Sequence, residues 1–208
     1  MNYIISLIIG YLFGSFPSAY LLLKKTKNID ITKAGTGNVG AMNTFDVTKS
    51  KTTGVIVFIA DALKAIVPII ILSVISLNSF EARAVALIGC VFSHCYNPWL
   101  ELKGGRGLAS AAGGAAVIFP FALITWAVLW SIFYLMKKNI IIANITASVM
   151  TLLITFTSSS TAVKYAYPKP ESDATLILFA LALILIIISK HTEPIQEILK
   201  DLKASKQR

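Results

Sequence analysis

The stretch Leu108–Met136 reads LASAAGGAAVIFPFALITWAVLWSIFYLM and decides how many helices this chain can form. Built as one helix it would extend about 43 Å at 1.5 Å per residue, whereas the hydrocarbon core of a bilayer is only ~30 Å thick. Pro120 lies inside the stretch, and proline interrupts a helix because it lacks the backbone N–H. We therefore predict two helices that meet near Pro120. The first, 108–120, is short enough to be a re-entrant segment.

The composition places the whole chain in the membrane class. Of its 208 residues, 56% are hydrophobic and 14% are charged, and the mean hydropathy is +0.74. Soluble domains are typically ~25% charged. The first apolar stretch has neither a basic leader nor a small-residue cleavage site, so we expect a first span and not a cleaved signal peptide.

Apolar stretches long enough to cross a bilayer define the expected spans. They are 3–23, 54–77, 84–100, 139–157 and 174–189, together with a double crossing of 108–136. The segment 24–53 carries six lysines and two aspartates, which indicates a cytoplasmic loop. A double crossing also returns Lys137, Lys138 and the basic tail to that side.

These arguments predict an all-α polytopic membrane protein with about seven transmembrane helices, two of them short, the N-terminus outside and the C-terminus cytoplasmic. One integral membrane domain spans 1–208, and 190–208 forms a basic cytoplasmic tail. The net charge of +9 then belongs to cytoplasmic loops. A nucleic-acid partner is not expected, because no basic run carries interleaved aromatic residues.

The segment KAGTGNVGAMN (Lys33–Asn43) is rich in hydrogen-bond donors and lies between two expected spans. Its glycines let backbone N–H groups turn toward an anion, as in a nest or at a helix N-terminus. The pattern is not a Walker A sequence and no strand follows it, so a nucleotide site is disfavoured. A flexible spacer is the alternative. The residues that would act here are Gly35, Thr36, Gly37, Asn38, Gly40 and Asn43.

Asp61 and Lys64 lie three residues apart inside an apolar span and so share one helix face. Ionisable residues inside a membrane are costly and are usually paired or functional. Asp61 could position Lys64 for a ligand, and a purely structural ion pair is the alternative.

A second basic glycine-rich segment, KGGRG (Lys103–Gly107), follows the third expected span. His94 lies late in that span, and Asn97-Pro98 should end or kink the helix near the interface, where Trp99 fits an anchor. Lys103 and Arg106 are then set among glycines. A solvated positive-inside loop is the alternative, but two such loops on one face favour anion binding. The glycines here are Gly104, Gly105 and Gly107.

The remaining reactive or small residues have simpler interpretations. His191 stands where the last helix leaves the membrane and is either a solvated end or a proton acceptor. Cys90 and Cys95 are about 500° apart around a helix, so neither a disulfide nor a metal site is expected. Gly10 and Gly14 form GxxxG, and the run ASAAGGAA at 109–116 is similarly small, which predicts close helix packing in lipid.

Together these motifs resemble the bacterial acyl-phosphate:glycerol-3-phosphate acyltransferase family (PlsY) over nearly the whole chain. GYLFGSFPSAYLL is similar to the family's opening helix, with Gly14, Ser15 and Pro17 in register. NIDITKAGTGNVGAMN resembles its G-S-G-N-x-G-A-x-N motif. DALKAIVP resembles D-x-x-K-G-x-x-P, and HCYNPWLELKGGRG resembles H-x-x-P…K-G-G-K-G.

The resemblance implies a seven-helix enzyme of the bacterial cytoplasmic (inner) membrane whose active site faces the cytoplasm. It implies transfer of an acyl group from acyl phosphate to sn-glycerol 3-phosphate, giving lysophosphatidic acid and phosphate, without a cofactor or metal. Membrane lipid and the soluble enzyme that forms the acyl phosphate are further expected partners. The expected catalytic residues are Thr36, Asn38, Lys64, Arg106 and His191, and the expected substrate-binding residues are Ser15, Gly35, Gly37, Gly40, Asn43, Asp61, His94, Lys103, Gly104, Gly105 and Gly107.

Several positions depart from the family pattern. Asp46 stands where the family has arginine, and in the C-terminal segment HTEPIQEILKDLK the departures are Pro194, Glu197 and Lys203. An aspartate near a phosphate dianion replaces attraction by repulsion. A divergent paralogue with another acceptor is therefore one alternative. A non-catalytic binder or transporter of a phosphorylated or lipid anion is a second, and a purely structural membrane protein is a third.

Overall fold

The computed structural model describes residues 1–205, in which the chain is helical and contains no strand. The helices are α1 (Asn2–Gly14), α2 (Ser18–Lys27), α3 (Ala41–Thr48), α4 (Lys51–Val74), α5 (Phe80–Cys95), α6 (Leu108–Ile118), α7 (Pro120–Lys137), α8 (Ile140–Thr157), α9 (Ser159–Ala162), α10 (Asp173–Ser189) and α11 (Thr192–Ser205). Short 3₁₀ turns occupy Ile31–Lys33, Pro98–Leu100 and Val163–Tyr165.

Four helical segments are long and apolar enough to cross a bilayer. They are Asn2–Lys27, Lys51–Val74, Pro120–Lys137 and Ile140–Thr157. The apolar helices Leu108–Ile118 and Asp173–Ser189 are shorter. No side chain of α7 is fully buried, and several are largely exposed, for example Ile124 at 63% and Leu135 at 65%, as expected of a helix with one face toward lipid. The predicted all-helical membrane class is confirmed.

The predicted interruption near Pro120 is also confirmed. Helix α6 ends at Ile118, and Pro120 is the first residue of α7, a position where a missing N–H costs nothing. The last turn of α6 is completed from elsewhere, because Tyr167 N–H donates to the Ile118 carbonyl at 2.8 Å. The end of α6 therefore lies beside the connection between α8 and α10.

The sequence predicted one continuous first span over residues 3–23, and this prediction was wrong. The span breaks at Ser15–Pro17 into α1 and α2. Pro17 cannot donate to the helix, and the Phe16 carbonyl is turned into the protein interior, where a lysine contacts it. Irregular backbone at membrane depth is tolerated where protein groups satisfy it.

Glycines hold the central helices in close contact, as the small-residue runs predicted. A Cβ at Gly10 or Gly14 would overlap backbone atoms of Ala86 or Cys90 on α5. A Cβ at Gly113 of α6 would overlap the backbone of Ala62 on α4. The packing of α1 on α5 and of α6 on α4 thus depends on these positions. Cys90 and Cys95 are buried and free.

Other boundaries differ from the sequence predictions. The third span was expected to reach residue 100 but α5 ends at Cys95, and the second begins at Lys51 instead of 54. The loop 24–53 contains the short helix α3, and most of the tail 190–208 is helix α11. Residues 206–208 of that tail lie outside the described range.

Candidate functional site

A buried polar cluster joins three helices in the interior. Its members are Ser18 of α2, Asp61 and Lys64 of α4, and His94 of α5, each less than 9% exposed. Asp61 Oδ1 accepts from Ser18 Oγ at 2.6 Å and from Lys64 Nζ at 2.9 Å, and lies 3.7 Å from His94 Nδ1. The i,i+3 pairing expected of Asp61 and Lys64 is therefore present, together with two partners that the sequence did not reveal.

The ammonium of Lys64 has three N–H donors, and each has a protein partner. Besides Asp61, it donates to the Phe16 carbonyl at 3.0 Å and to His94 Nδ1 at 2.8 Å. Because a lysine can only donate, His94 accepts through Nδ1, and its neutral ring carries the proton on Nε2. Lys64 thus fixes the histidine ring and the break between α1 and α2.

The break is also fixed by Ser15, an expected substrate-binding residue. Ser15 Oγ donates to the Leu12 carbonyl at 2.8 Å and accepts from Trp99 Nε1 at 3.1 Å. The Ser15 carbonyl accepts from Asn97 Nδ2 at 2.7 Å, and Asn97 Oδ1 in turn accepts from Trp99 N–H. Ser15 therefore ties α1 to the segment that follows α5.

The first glycine loop, residues 34–40, is organised around Asn43. This amide accepts from Thr36 N–H at 2.9 Å and donates to the carbonyls of Ala34 and Asn38 at 3.0 and 2.9 Å. Both N–H groups of Asn43 are used in this way, so it shapes the loop instead of presenting donors, contrary to the sequence interpretation. Gly35 and Gly37 have φ of +61° and +71°, which only glycine adopts freely.

The loop leaves Thr36 exposed and Asn38 half-buried. Thr36 Oγ1 accepts from Asn38 N–H at 3.4 Å. Gly40 then caps helix α3, whose first N–H groups point back at the loop. Glycine backbone, the Thr36 hydroxyl and the Asn38 amide thus lie next to the N-terminus of α3.

The second glycine loop, residues 103–107, lies on His94 and Cys95. A Cβ at Gly104 would overlap the carbonyl oxygens of both residues, and a Cβ at Gly105 would overlap the His94 ring at Nε2. Gly105 N–H donates to the His94 carbonyl at 3.1 Å. Gly107, with φ of +83°, caps α6. The glycines are required here because this loop packs directly on the histidine that Lys64 holds.

The two glycine loops meet. Val39 N–H of the first donates to the Gly104 carbonyl of the second at 3.1 Å. The N-termini of α3 and α6 are therefore brought to one region, together with the partial positive charge that each carries. The sequence predicted that the loops share one face, and this bond places them in contact.

Arg106, in the second glycine loop, lies close enough to His191 for its charge to act on that ring. Arg106 is half-buried and is engaged within the protein. His191 is fully buried, so its interpretation as a solvated helix end was wrong. Its Nδ1–H donates to the Ile187 carbonyl at 2.8 Å, which leaves Nε2 as the acceptor, 3.4 Å from Asn144 Nδ2. Burial and the positive charge of Arg106 lower the pKa of His191, although the Ile187 hydrogen bond opposes this.

One expected site residue, Lys103, and one departure from the family pattern, Asp46, lie toward solvent. The Lys103 side chain is 51% exposed and pairs with Glu101 at 3.5 Å, a surface ion pair of small energetic weight. Asp46, the charge-reversing departure, lies on the exposed side of α3. Pro194 is half-buried in α11, and the side chains of Glu197 and Lys203 lie outside the described part.

An apolar slot opens beside the second glycine loop, between α6, α7, α8 and α10. Leu108 and Ile187 lie at one end, next to Gly107 and the carbonyl that His191 contacts. Phe119, Thr155 and Phe179 lie at the other end. Alanines of α6 line its wall, namely Ala111, Ala112 and Ala115.

Several contributors were missed in the sequence. Ser18, Asn97 and the Phe16 carbonyl became visible only through their partners across the fold. Asn144 carried a signal, because an amide inside an apolar span needs a hydrogen-bond partner. It accepts from Trp130 Nε1 at 2.7 Å and donates toward His191. Among the described residues, no group of three His, Cys, Asp or Glu could hold a metal.

Comparison with known proteins identifies the family. A family model described as glycerol-3-phosphate acyltransferase matches residues 4–201. The glycerol-3-phosphate acyltransferase of Campylobacter lari is 31% identical over 162 residues, which cover 75% of this chain and 79% of the relative. That of Endomicrobium trichonymphae is 39% identical over 123 residues, covering 59% and 58%.

Two crystal structures of PlsY (YgiH), an integral membrane glycerol 3-phosphate acyltransferase, share the fold. One is its glycerol 3-phosphate form and the other its lysophosphatidic acid form. Each matches with a TM-score of 0.78 at 27% identity, over 97% of this chain and 94% or 93% of the other. The chain therefore belongs to the glycerol-3-phosphate acyltransferase family.

Proposed function

We propose that this protein transfers a fatty acyl group from acyl phosphate to the 1-hydroxyl of sn-glycerol 3-phosphate. The products are 1-acyl-glycerol 3-phosphate and inorganic phosphate, in phospholipid biosynthesis. The hydroxyl oxygen attacks the acyl carbon, the bond between that carbon and the phosphate oxygen breaks, and phosphate leaves. The hydroxyl proton passes to a phosphate oxygen of the substrate or to His191 Nε2.

The observation that carries this proposal is the bond between Val39 and Gly104, which joins two loops suited to phosphate. The reaction brings two phosphoryl groups together, and two helix N-termini beside Thr36, Asn38 and Arg106 can hold them. Positioning both reactants in one site could lower the barrier by several kcal/mol.

In this proposal, four buried residues hold the loops and rings of the site in place without contacting substrate, namely Asp61, Lys64, His94 and Asn43. All four are buried, and the contacts of Lys64, Asp61 and Asn43 are to other protein groups. They are positioning residues, because each acts through a loop or ring that faces the substrates. The apolar slot, which begins at Leu108 next to the second glycine loop, would take the acyl chain of the donor.

The proposal includes a topology. Seven membrane segments place the N-terminus outside and the C-terminus in the cytoplasm of the bacterial inner membrane. The positive-inside rule supports it, since the basic segments 24–53, 103–107 and 190–208 then share the cytoplasmic side. One domain forms the site, and the soluble enzyme that makes the acyl phosphate would deliver it there.

The test is turnover by the purified protein with palmitoyl phosphate and glycerol 3-phosphate, compared with palmitoyl-CoA and palmitoyl acyl carrier protein. Acyl phosphate alone should support lysophosphatidic acid formation. Arg106→Ala should lower kcat/KM by about 100-fold or more, as removal of a charged donor to the reacting group does. Lys25→Ala, at an exposed cation outside both glycine loops, is the control and should change it only about twofold.

The alternative acceptor is tested in the same assay with other polyol phosphates. If Asp46 redirects acceptor choice, Asp46→Arg should raise turnover of glycerol 3-phosphate and lower that of the preferred acceptor. A protein inert with acyl phosphate and every polyol phosphate would sink the proposal. Uptake of a labelled anion into liposomes without turnover would indicate a transporter instead.

A further inference from the structure

The apolar slot ends at a wall of aromatic rings. Phe119 and Phe179 close it, at 1% and 5% exposure. Phe179 is held edge-to-face by the buried Phe80, with ring centroids 5.5 Å apart. Phe119 stacks on Phe121 at 5.9 Å, and Phe121 stacks on Tyr165 at 5.8 Å. Both rings are therefore packed against other rings at this end of the slot.

The depth of the slot follows from its helices. Ile187 and Phe179 lie eight residues apart on α10, about 12 Å at the α-helical rise, and Leu108 to Phe119 gives about 16 Å. An extended chain advances roughly 1.2 Å per bond. The slot therefore holds about 10 to 13 bonds.

From this geometry we propose that Phe119 and Phe179 set the acyl-chain length that the enzyme prefers, with Phe179 as the main stop. The inference rests on the proposed function, in which the carbonyl carbon lies at the mouth beside Arg106 and His191. Adding the carbons at the mouth to those in the slot gives chains of about 12 to 16 carbons. Longer chains would meet the aromatic wall.

The walls make the slot sensitive to length. The α6 side of the slot is lined by small alanine side chains, so the slot is not narrowed there. One of them, Ala115, lies seven residues from Leu108 at the mouth of the slot. Each methylene buried in an apolar site is worth about fourfold in affinity. The value of kcat/KM should rise by up to that factor per carbon and then stop rising when the chain reaches Phe179.

The test measures kcat/KM for acyl phosphates of increasing length with glycerol 3-phosphate. Phe179→Ala opens the wall and should move the optimum about two or more carbons longer. Ala115→Leu blocks the slot partway and should move it shorter by a similar number. Phe156→Ala, at a ring on α8 that is 61% exposed and does not line the slot, is the control and should leave the optimum unchanged. Phe179→Leu is the milder substitute if the alanine variant fails to fold.

A readout without turnover separates this inference from the proposed function. Thermal stabilisation by monoalkyl phosphates should grow with alkyl length and level off at the same carbon number. It should level off later in Phe179→Ala and earlier in Ala115→Leu. If neither the activity optimum nor this plateau moves in either variant, the wall does not set chain length. If the plateau moves in the variants while all acyl phosphates remain unreactive, the slot binds alkyl chains as proposed here, and only the proposed acyl transfer is contradicted.

Discussion

At the scale of single residues, His191 shows how a buried histidine is set up as an acceptor. The Ile187 carbonyl can only accept, so the ring proton stays on Nδ1 and the lone pair on Nε2. Asn144 donates toward that lone pair and is itself oriented by Trp130. Burial and Arg106 then oppose a second proton. The neutral form is the one that could take the proton from the attacking hydroxyl.

The lowered pKa of His191 predicts an acid-sensitive fold. Its ordinary value is 6.5, so the unfolded chain takes up a proton near that pH while the folded protein does not. The contribution of the neutral His191 to folding stability is therefore fully present above pH 6.5 and is lost as the pH falls below 6.5. Thermal unfolding in detergent between pH 8 and 5 should show this slope. In His191→Asn, which keeps the donor to Ile187, the slope should be shallower, and equal slopes would contradict the assigned environment.

Gly105 gives a second prediction at this scale. Gly105→Ala would push a methyl group into the His94 ring, which Lys64 holds in place. Forcing an atom into a packed site costs about 1–3 kcal/mol and shifts the loop or the ring. Because a misplacement of about 1 Å can cost about 100-fold in rate, turnover should fall about tenfold or more. Gly54→Ala is the control, because this glycine of α4 lies outside both glycine loops and its Cβ would lie 3.2 Å from the Ala41 carbonyl oxygen and the Phe45 side chain, without overlap. Equal losses in both variants would show that contact with His94 is not the cause.

At the scale of elements, α6 links the two halves of the site. Its N-terminus follows Arg106, one face packs on α4 beside Asp61, and another lines the slot. The close approach to α4 rests on Gly113, since a side chain there would overlap the Ala62 backbone. The position of α6 therefore fixes the second glycine loop relative to the polar cluster.

Gly113→Val should separate α6 from α4. Overpacking of about 1–3 kcal/mol is expected, and each kcal/mol lowers Tm by about 2–4 °C in a chain of this size. Thermal unfolding should show that loss, with activity reduced further because the loop follows α6. Ala109→Val, on a half-exposed position of the same helix, is the control. A normal Tm for Gly113→Val would mean that the two helices need no close contact.

Most elements could be predicted from the sequence, because apolar length and proline act locally. The interruption at Pro120 and the spans around it needed only helix geometry and bilayer thickness. The break at Ser15–Pro17 was missed because α1 and α2 together still have the length of one span, and what stabilises the break is Lys64, 48 residues away. Helix α3 was not predicted because glycines precede it, and α11 was not predicted because its many charged residues indicated only a basic tail.

At the scale of the whole molecule, the site is made by contacts that no local pattern contains. Glycine-rich composition identified both loops, but their meeting depends on the bond between Val39 and Gly104. Likewise, the sequence paired Lys64 with Asp61 correctly. The sequence could not show that the same ammonium also contacts His94. Nor could it show that the side-chain N–H groups of Asn43 donate to carbonyls of its own loop. The sequence therefore indicated which residue types would gather here, but it did not show which hydrogen-bond partners each of them has.

The proposed topology predicts which positions each side of the membrane can reach. Cys90 and Cys95 are buried, so they should not react with a membrane-impermeant thiol reagent. Single cysteines at three exposed lysines, 103, 138 and 169, test the arrangement. In intact cells Lys169→Cys should be labelled, whereas Lys103→Cys and Lys138→Cys should react only after permeabilisation. Labelling of Lys138→Cys in intact cells would mean that α6 and α7 together cross only once, and labelling of Lys103→Cys would put both glycine loops, and the site, outside.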